Sequence, residues 1–209
     1  MSLTALQVMQ DAPVIPVIVL HDVAHAVPLA QALIAGGIRT LEITMRTPVA
    51  LDCMRAICAE VPQAIVGAGT VCSTRDLDAC LAAGARFAVS PGYTTQLGVD
   101  CRKRDVPLLP GVATASEIML AQNDGYTALK FFPALQAGGV GMLKALYGPF
   151  AQIQFCPTGG LTAQNAAEFL VLPNVVCVGG SWLVPADALL SADYARIETL
   201  ARQAVQLAR

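Results

Sequence analysis

The stretch VIPVIVLHDVAHA, residues 14–26, runs from a β-branched apolar segment straight into an alanine-rich one with no glycine between them. An open, doubly wound parallel sheet of the Rossmann type carries G-x-G-x-x-G at this first strand-to-helix turn, where bare backbone lies against a pyrophosphate. Here His21, Asp22 and Val23 occupy the turn. Outward from it, the same unit recurs. Runs rich in Val, Ile and Phe begin near Leu41 (LEITM), Ile65 (IVGAGT), Phe87 (FAVSP), Pro107 (PLLPG), Ala128 (ALKFF), Ile153 (IQFCPTGG) and Val175 (VVCVGGS), at intervals of roughly 20 to 27 residues. Ala- and Leu-rich segments with helical spacing lie between them, among them Ala26–Ala35, Ala50–Ala59 and Ala163–Leu170. Eight strand–helix units without a linker or a shift in composition imply one parallel sheet. The count of eight closes it. The expectation is an α/β fold, a single (β/α)8 TIM barrel over residues 1–209, near the short end of that fold's range. Thr4–Met9 adds a short helix across the bottom.

Local signals agree with this reading. Thr47 before Pro48, Ser73 and Thr74 before Asp76, Ser116 before Glu117, and Thr162 are expected at helix starts, because their side chains cap free N–H groups. Gly84 and Gly125 fall where helices should stop.

Composition narrows the function classes. Hydrophobic residues make up 55% and charged residues 13%, half the charged share of an average soluble domain. Disordered chains lack such apolar content. A net charge of −2 provides no basis for binding nucleic acid or an anionic membrane. Phe169–Ala186 is free of charge, but Pro173, Asn174, Gly179, Gly180 and Pro185 break it, so no spanning helix is expected. The first basic residue is Arg39, so no basic leader is visible, and the seven cysteines are odd in number with no C-x-x-C pair. Both point to a cytoplasmic protein with reduced thiols. The scarcity of charge suggests that part of the surface is covered by identical subunits.

The chemistry gathers on a few strands. In Leu41-Glu42-Ile43-Thr44-Met45-Arg46, alternation turns Leu41, Ile43 and Met45 toward the helices and Glu42, Thr44 and Arg46 into the barrel. A structural Glu–Arg pair is the bland alternative, but desolvating such charges rarely gives net stability, so function is the better reason for them. Of the three lysines, Lys103 stands in the charged segment CRKRD and Lys144 in a helix after Gly138-Gly139, whereas Lys130 occupies the middle of the strand ALKFFP. With Leu129 and Phe131 facing the helices, Lys130 faces inward toward Glu42 and Arg46. Burial beside another cation is what makes an amine nucleophilic toward carbonyls; a lysine that merely pairs with Glu42 is the bland alternative. Pro157-Thr158-Gly159-Gly160 and Gly179-Gly180-Ser181 end the last two strands, the usual phosphate position of such barrels, where glycines let N–H groups approach an anion. Thr70 and Thr158 end strands and can bond a substrate oxygen or cap a helix. Ser90-Pro91-Gly92 is placed at the pocket floor. His21 and His25 read as structural or solvated, Cys72 and Cys156 receive no role, and no cluster of His, Asp and Glu suggests a metal.

LEITMRTP, IVGAGTV, FAVSPG, LKFFPA, FCPTGG and VGGSWLVPADAL together resemble the 2-keto-3-deoxy-6-phosphogluconate (KDPG) aldolases, class I lyases of the Entner–Doudoroff pathway. The resemblance covers nearly the whole chain in order and spacing. It implies a homotrimeric (β/α)8 barrel that uses a lysine Schiff base, with no cofactor and no metal. On matching positions it implies Lys130 as the Schiff-base lysine and Glu42 as general acid/base. Arg46 and Thr70 would hold the pyruvate carboxylate, with Thr158, Phe132 and Pro91 lining the site. Gly159, Gly160, Gly180 and Ser181 would bind the phosphate. The partner implied is a small phosphorylated 2-keto acid. Related enzymes take 4-hydroxy-2-oxoglutarate (KHG) or the galacto epimer of the sugar acid, and these stand as alternatives. A phosphate-binding isomerase or decarboxylase barrel would share the glycine loops without needing Lys130 as nucleophile. A non-catalytic phosphosugar binder would have no use for a buried Lys beside a Glu.

Overall fold

In a computed structural model describing residues 3–207, helices and strands alternate along the chain. The first half comprises α1 (Ala5–Gln10), β1 (Val14–Ile18), α2 (Ala26–Ala35), β2 (Thr40–Thr44), α3 (Ala50–Glu60), β3 (Ile65–Gly69), α4 (Thr74–Ala82), β4 (Phe87–Val89) and α5 (Thr95–Lys103). The second half comprises β5 (Leu108–Leu109), β6 (Gly111–Val112), α6 (Ala115–Asn123), β7 (Ala128–Phe131), α7 (Gly139–Tyr147), β8 (Gln154–Pro157), α8 (Ala166–Leu170), β9 (Val178–Gly180), α9 (Ala186–Leu190) and α10 (Tyr194–Val205).

All ladders are parallel. One sheet runs β5-β4-β3-β2-β1-β9 and a second β6-β7-β8. Single bridges at Phe155–Val175 and Thr158–Gly179 join β8 to the last strand segment. The expected fifth strand is two pieces, because Pro110 lies between them and has no N–H to give a ladder. Its carbonyl still accepts from the Lys130 N–H at 2.9 Å, so the ring of eight strand positions is continuous. The architecture is the expected (β/α)8 barrel.

Two apolar layers follow from strand alternation. Leu41 and Ile43 join the layer between strands and helices, with Leu29, Leu33, Met54 and Ile57. Val8 and Met9 of α1 pack with Ile15, Phe87, Val89, Leu109, Cys156 and Cys177, plugging the bottom of the barrel as the N-terminal segment suggested. A capping box between Thr4 and Gln7 starts α1. Asp11 pins its end to β2 through Arg39 and the Thr40 hydroxyl. Among the described residues no helix is long and apolar enough to cross a membrane. Phe169–Ala186 divides into the end of α8, β9 and the start of α9.

Both glycine stops hold, whereas of the four expected helix starts one holds and three are corrected. Ser73 caps α4 by accepting from the Asp76 N–H, and Gly84 and Gly125 have φ of +95° and +89° beyond α4 and α6. Ser116, however, lies inside α6, whose cap is Thr114 in a capping box with Glu117. The three-residue spacing of that box is what reaches the N3 amide. Thr47 is not a cap either: its hydroxyl donates to the Leu20 carbonyl at 2.6 Å, tying the β2–α3 loop to the end of the first strand. Thr162 is the third: the Ala163–Leu170 segment is helical only from Ala166, with Asn165 at its cap position.

Candidate active site

The C-terminal ends of the strands form a cavity of about 240 Å³. Its floor is set by β7. Lys130 is hydrogen-bonded in register between Gly111 and Cys156, with neighbours Leu129 and Phe131 fully buried against the helix layer. The ammonium therefore faces the barrel axis. Nζ donates to Oε1 of Glu42 at 3.2 Å, and both side chains are only 4% exposed. Nζ also lies 5.3 Å from the centre of the Phe132 ring. Such a pair pays a large desolvation cost that its mutual attraction does not reliably repay, so its presence calls for a reason other than stability.

Arg46 rises at the rim above Glu42. Its side chain is exposed, and its Nε donates to the Thr70 hydroxyl at 3.0 Å, leaving the terminal nitrogens of a planar fork to meet a carboxylate. Thr70 has φ +63°, a conformation rarely held by a β-branched residue and found most often at functional sites. Thr44, expected to face the interior with these two, spends its hydroxyl on the Ile18 carbonyl at 2.9 Å.

The opposite rim is the pair of glycine turns. Gly159 and Gly160 have φ of +108° and +77°, a region where side chains are strained. Both line the cavity together with Thr158, Gly180 and Ser181. Gly180 is glycine for a different reason: a Cβ there would fall 1.7 Å from the Trp182 ring. Thr158 is 5% exposed and makes only long contacts through its hydroxyl, 3.4 Å to the Cys156 carbonyl and 3.9 Å to its Sγ. That oxygen is available to a ligand.

Most of the residues singled out from the sequence thus meet at one end of the barrel. Pro91 does not line this cavity. It lines a neighbouring one with Cys72, Tyr93 and Glu117. Val17, Val19 and Leu161, which the sequence reading passed over, form the apolar part of the wall with Phe132; only the alternation of the first strand and the residue after it hinted at the first two. Lys103 and Lys144 are exposed on α5 and α7. His25 is tied to the Tyr194 hydroxyl at 2.8 Å. Burial raises the Cys80 thiol to about 12 and the Cys53 and Cys101 thiols to about 11, so these are packing groups. A broader groove at the opposite end, between Leu3 and Tyr126, contains no lysine. Among the described residues, no three His, Cys, Asp or Glu side chains converge on a metal-binding position.

A buried amine beside a carboxylate, an arginine fork on one side and glycine turns on the other can bind a dianionic molecule by its two ends and attack a carbonyl between them. Comparison with known proteins points the same way. Residues 6–200 match the model of the KDPG and KHG aldolase family. The chain is 52% identical over 206 residues to the KHG/KDPG aldolase of Escherichia coli K12, covering 99% of this chain and 97% of that one. It is 53% identical over 202 residues to the 2-dehydro-3-deoxy-phosphogluconate aldolase of Dickeya dadantii, covering 97% and 95%. Its structure superimposes with a TM-score of 0.96, at 46% identity over 98% of this chain and 99% of the other, on KDPG aldolase from Legionella pneumophila with pyruvate captured as a covalent carbinolamine. The chain belongs to the KDPG and KHG aldolase family.

Proposed function

We propose that this protein is a class I aldolase that cleaves 2-keto-3-deoxy-6-phosphogluconate to pyruvate and glyceraldehyde 3-phosphate through a Schiff base on Lys130. The observation that carries this reading is the buried contact of 3.2 Å between Lys130 and Glu42 at the cavity floor. Family membership and the pyruvate carbinolamine of the Legionella relative support it. Proton transfer from Lys130 to Glu42 frees the amine, which attacks the C2 ketone to give a carbinolamine. Glu42 gives that proton to the carbinolamine hydroxyl, and loss of water leaves an iminium and a Glu42 carboxylate. Glu42, as carboxylate, takes the C4 hydroxyl proton, the C3–C4 bond breaks, and its electron pair flows into the iminium to give the enamine as the aldehyde departs. Glu42 returns the proton to C3, and water hydrolyses the iminium to release pyruvate and the lysine. Arg46, steadied by Thr70, holds the substrate carboxylate. Thr158 and Phe132 flank the reacting carbons. Gly159, Gly160, Gly180 and Ser181 hold the phosphate, so the substrate spans the cavity from one rim to the other.

The test is borohydride reduction with pyruvate followed by mass spectrometry. One three-carbon adduct per chain on Lys130, with loss of activity, is expected. An adduct on Lys103 or Lys144, or none, overturns the mechanism. Cleavage of KHG is a second activity of the same site, favoured by the E. coli relative carrying both names; this smaller substrate has no phosphate to seat at the glycine rim.

The working form is a homotrimer in the cytoplasm. Met119 and Leu120 on α6, and Leu135, Met142 and Tyr147 on and before α7, are large apolar side chains left exposed on the single chain, of the kind that subunit contacts cover. Light scattering should give about three times the 21.7 kDa chain mass; a monomer would refute the assembly. The seven cysteines, most of them buried, suit a reducing compartment.

A further inference from the structure

β3 carries two glycines, Gly67 and Gly69, at successive inward positions. Neither has a positive φ, so backbone conformation does not demand glycine at either, and glycine inside a strand weakens it. Space explains both. A Cβ on Gly67 would lie 2.2 Å from the Phe87 ring. A Cβ on Gly69 would lie 2.3 Å from Oε1 of Glu42, 2.7 Å from its Cγ and 2.9 Å from its Cδ. In the ladder Glu42 sits opposite Gly67, and Thr44 opposite Gly69. The Glu42 side chain therefore leans forward along the strand by one inward layer, into the space above Gly69. That lean carries its carboxylate to the level of the Lys130 amine.

We propose that Gly69 is a positioning residue of the aldol cleavage: its missing side chain lets the Glu42 carboxylate stand beside Lys130. The proposal rests on the reading of Glu42 as the acid/base. Rotating the carboxylate cannot relieve a side chain at position 69, because Cγ is also too close. The whole Glu42 side chain has to shift, and Oε1 must retreat by about 1 Å to reach ordinary contact, a displacement that can cost roughly 10²-fold in rate.

A double-mutant cycle over Gly69→Ala and Glu42→Ala tests this, read by cleavage kcat, borohydride trapping of pyruvate and thermal melting. Gly69→Ala should still trap pyruvate on Lys130 while its kcat falls roughly 10²-fold. Glu42→Ala should be slow, and the double variant no slower, since alanine at 42 vacates the contested space. It should also melt no lower than Glu42→Ala alone. A merely structural glycine would impose the same loss in both backgrounds. If Gly69→Ala does not fold, the double variant should fold wherever Glu42→Ala does, for the same spatial reason. Wild-type kcat in Gly69→Ala with a slow Glu42→Ala overturns the proposal alone, as does an additive loss or a double variant that unfolds where Glu42→Ala folds. Wild-type kcat in Glu42→Ala overturns the acid/base reading, and the role of Gly69 with it.

Discussion

Lys130→Met isolates what the site costs the fold. Methionine matches the length of the lysine stem, so the cavity it leaves is small and the main loss is the ammonium. Glu42, 4% exposed, then keeps a carboxylate whose ion-pair partner is gone. Removing one member of a buried pair typically costs about 3–5 kcal/mol. At about 2–4 °C per kcal/mol for a chain of this size, the melting temperature should drop by roughly 6–20 °C. Adding Glu42→Leu removes the stranded charge and fills its place with apolar atoms, a replacement that is often neutral or stabilising by about 1–4 kcal/mol relative to the intact pair. The double variant should therefore melt well above Lys130→Met, near or above the parent. Both variants are inactive, so the comparison by calorimetry or circular dichroism reads stability without any contribution from turnover. If Lys130→Met melts with the parent, or the double variant melts no higher than Lys130→Met, the pair is not a desolvated charge couple and the argument that function maintains it fails.

Two further perturbations address the chemistry and the phosphate rim. Glu42→Gln should still form the Schiff base with pyruvate but cleave KDPG about 10²–10⁴-fold more slowly, the usual contribution of a positioned acid/base; normal turnover would reduce Glu42 to a partner of Lys130. Gly160→Val meets a φ of +77° and a Leu135 methyl 2.7 Å from the new Cβ, so the turn itself must move. KM should rise steeply for the phosphorylated sugar acid and much less for KHG, and equal losses on both in a variant that melts normally would place the phosphate elsewhere.

Much of this site was legible before any tertiary contact was known, because strand periodicity is a local property. The alternation in LEITMR separates Glu42 from Leu41 and Ile43, and the scarcity of lysine makes Lys130 conspicuous in the middle of an apolar strand. Eight evenly spaced units without a glycine-rich first turn suffice for the barrel. Periodicity says which face a side chain occupies but not what stands across the barrel. Glu42 and Lys130 are 88 residues apart, and only closure of the sheet brings them within 3.2 Å. The same holds for glycines. Gly159 and Gly160 are explained by their own backbone angles. Gly69 and Gly180 are explained only by Glu42 and Trp182, whose atoms fill the volume a Cβ would take. Pro91 is the converse: it follows a barrel strand as the other site residues do, yet it opens on a different cavity. Local sequence determines dihedrals and facing. Which volumes are already occupied is a property of the packed barrel, since excluded volume acts between atoms however far apart they lie along the chain.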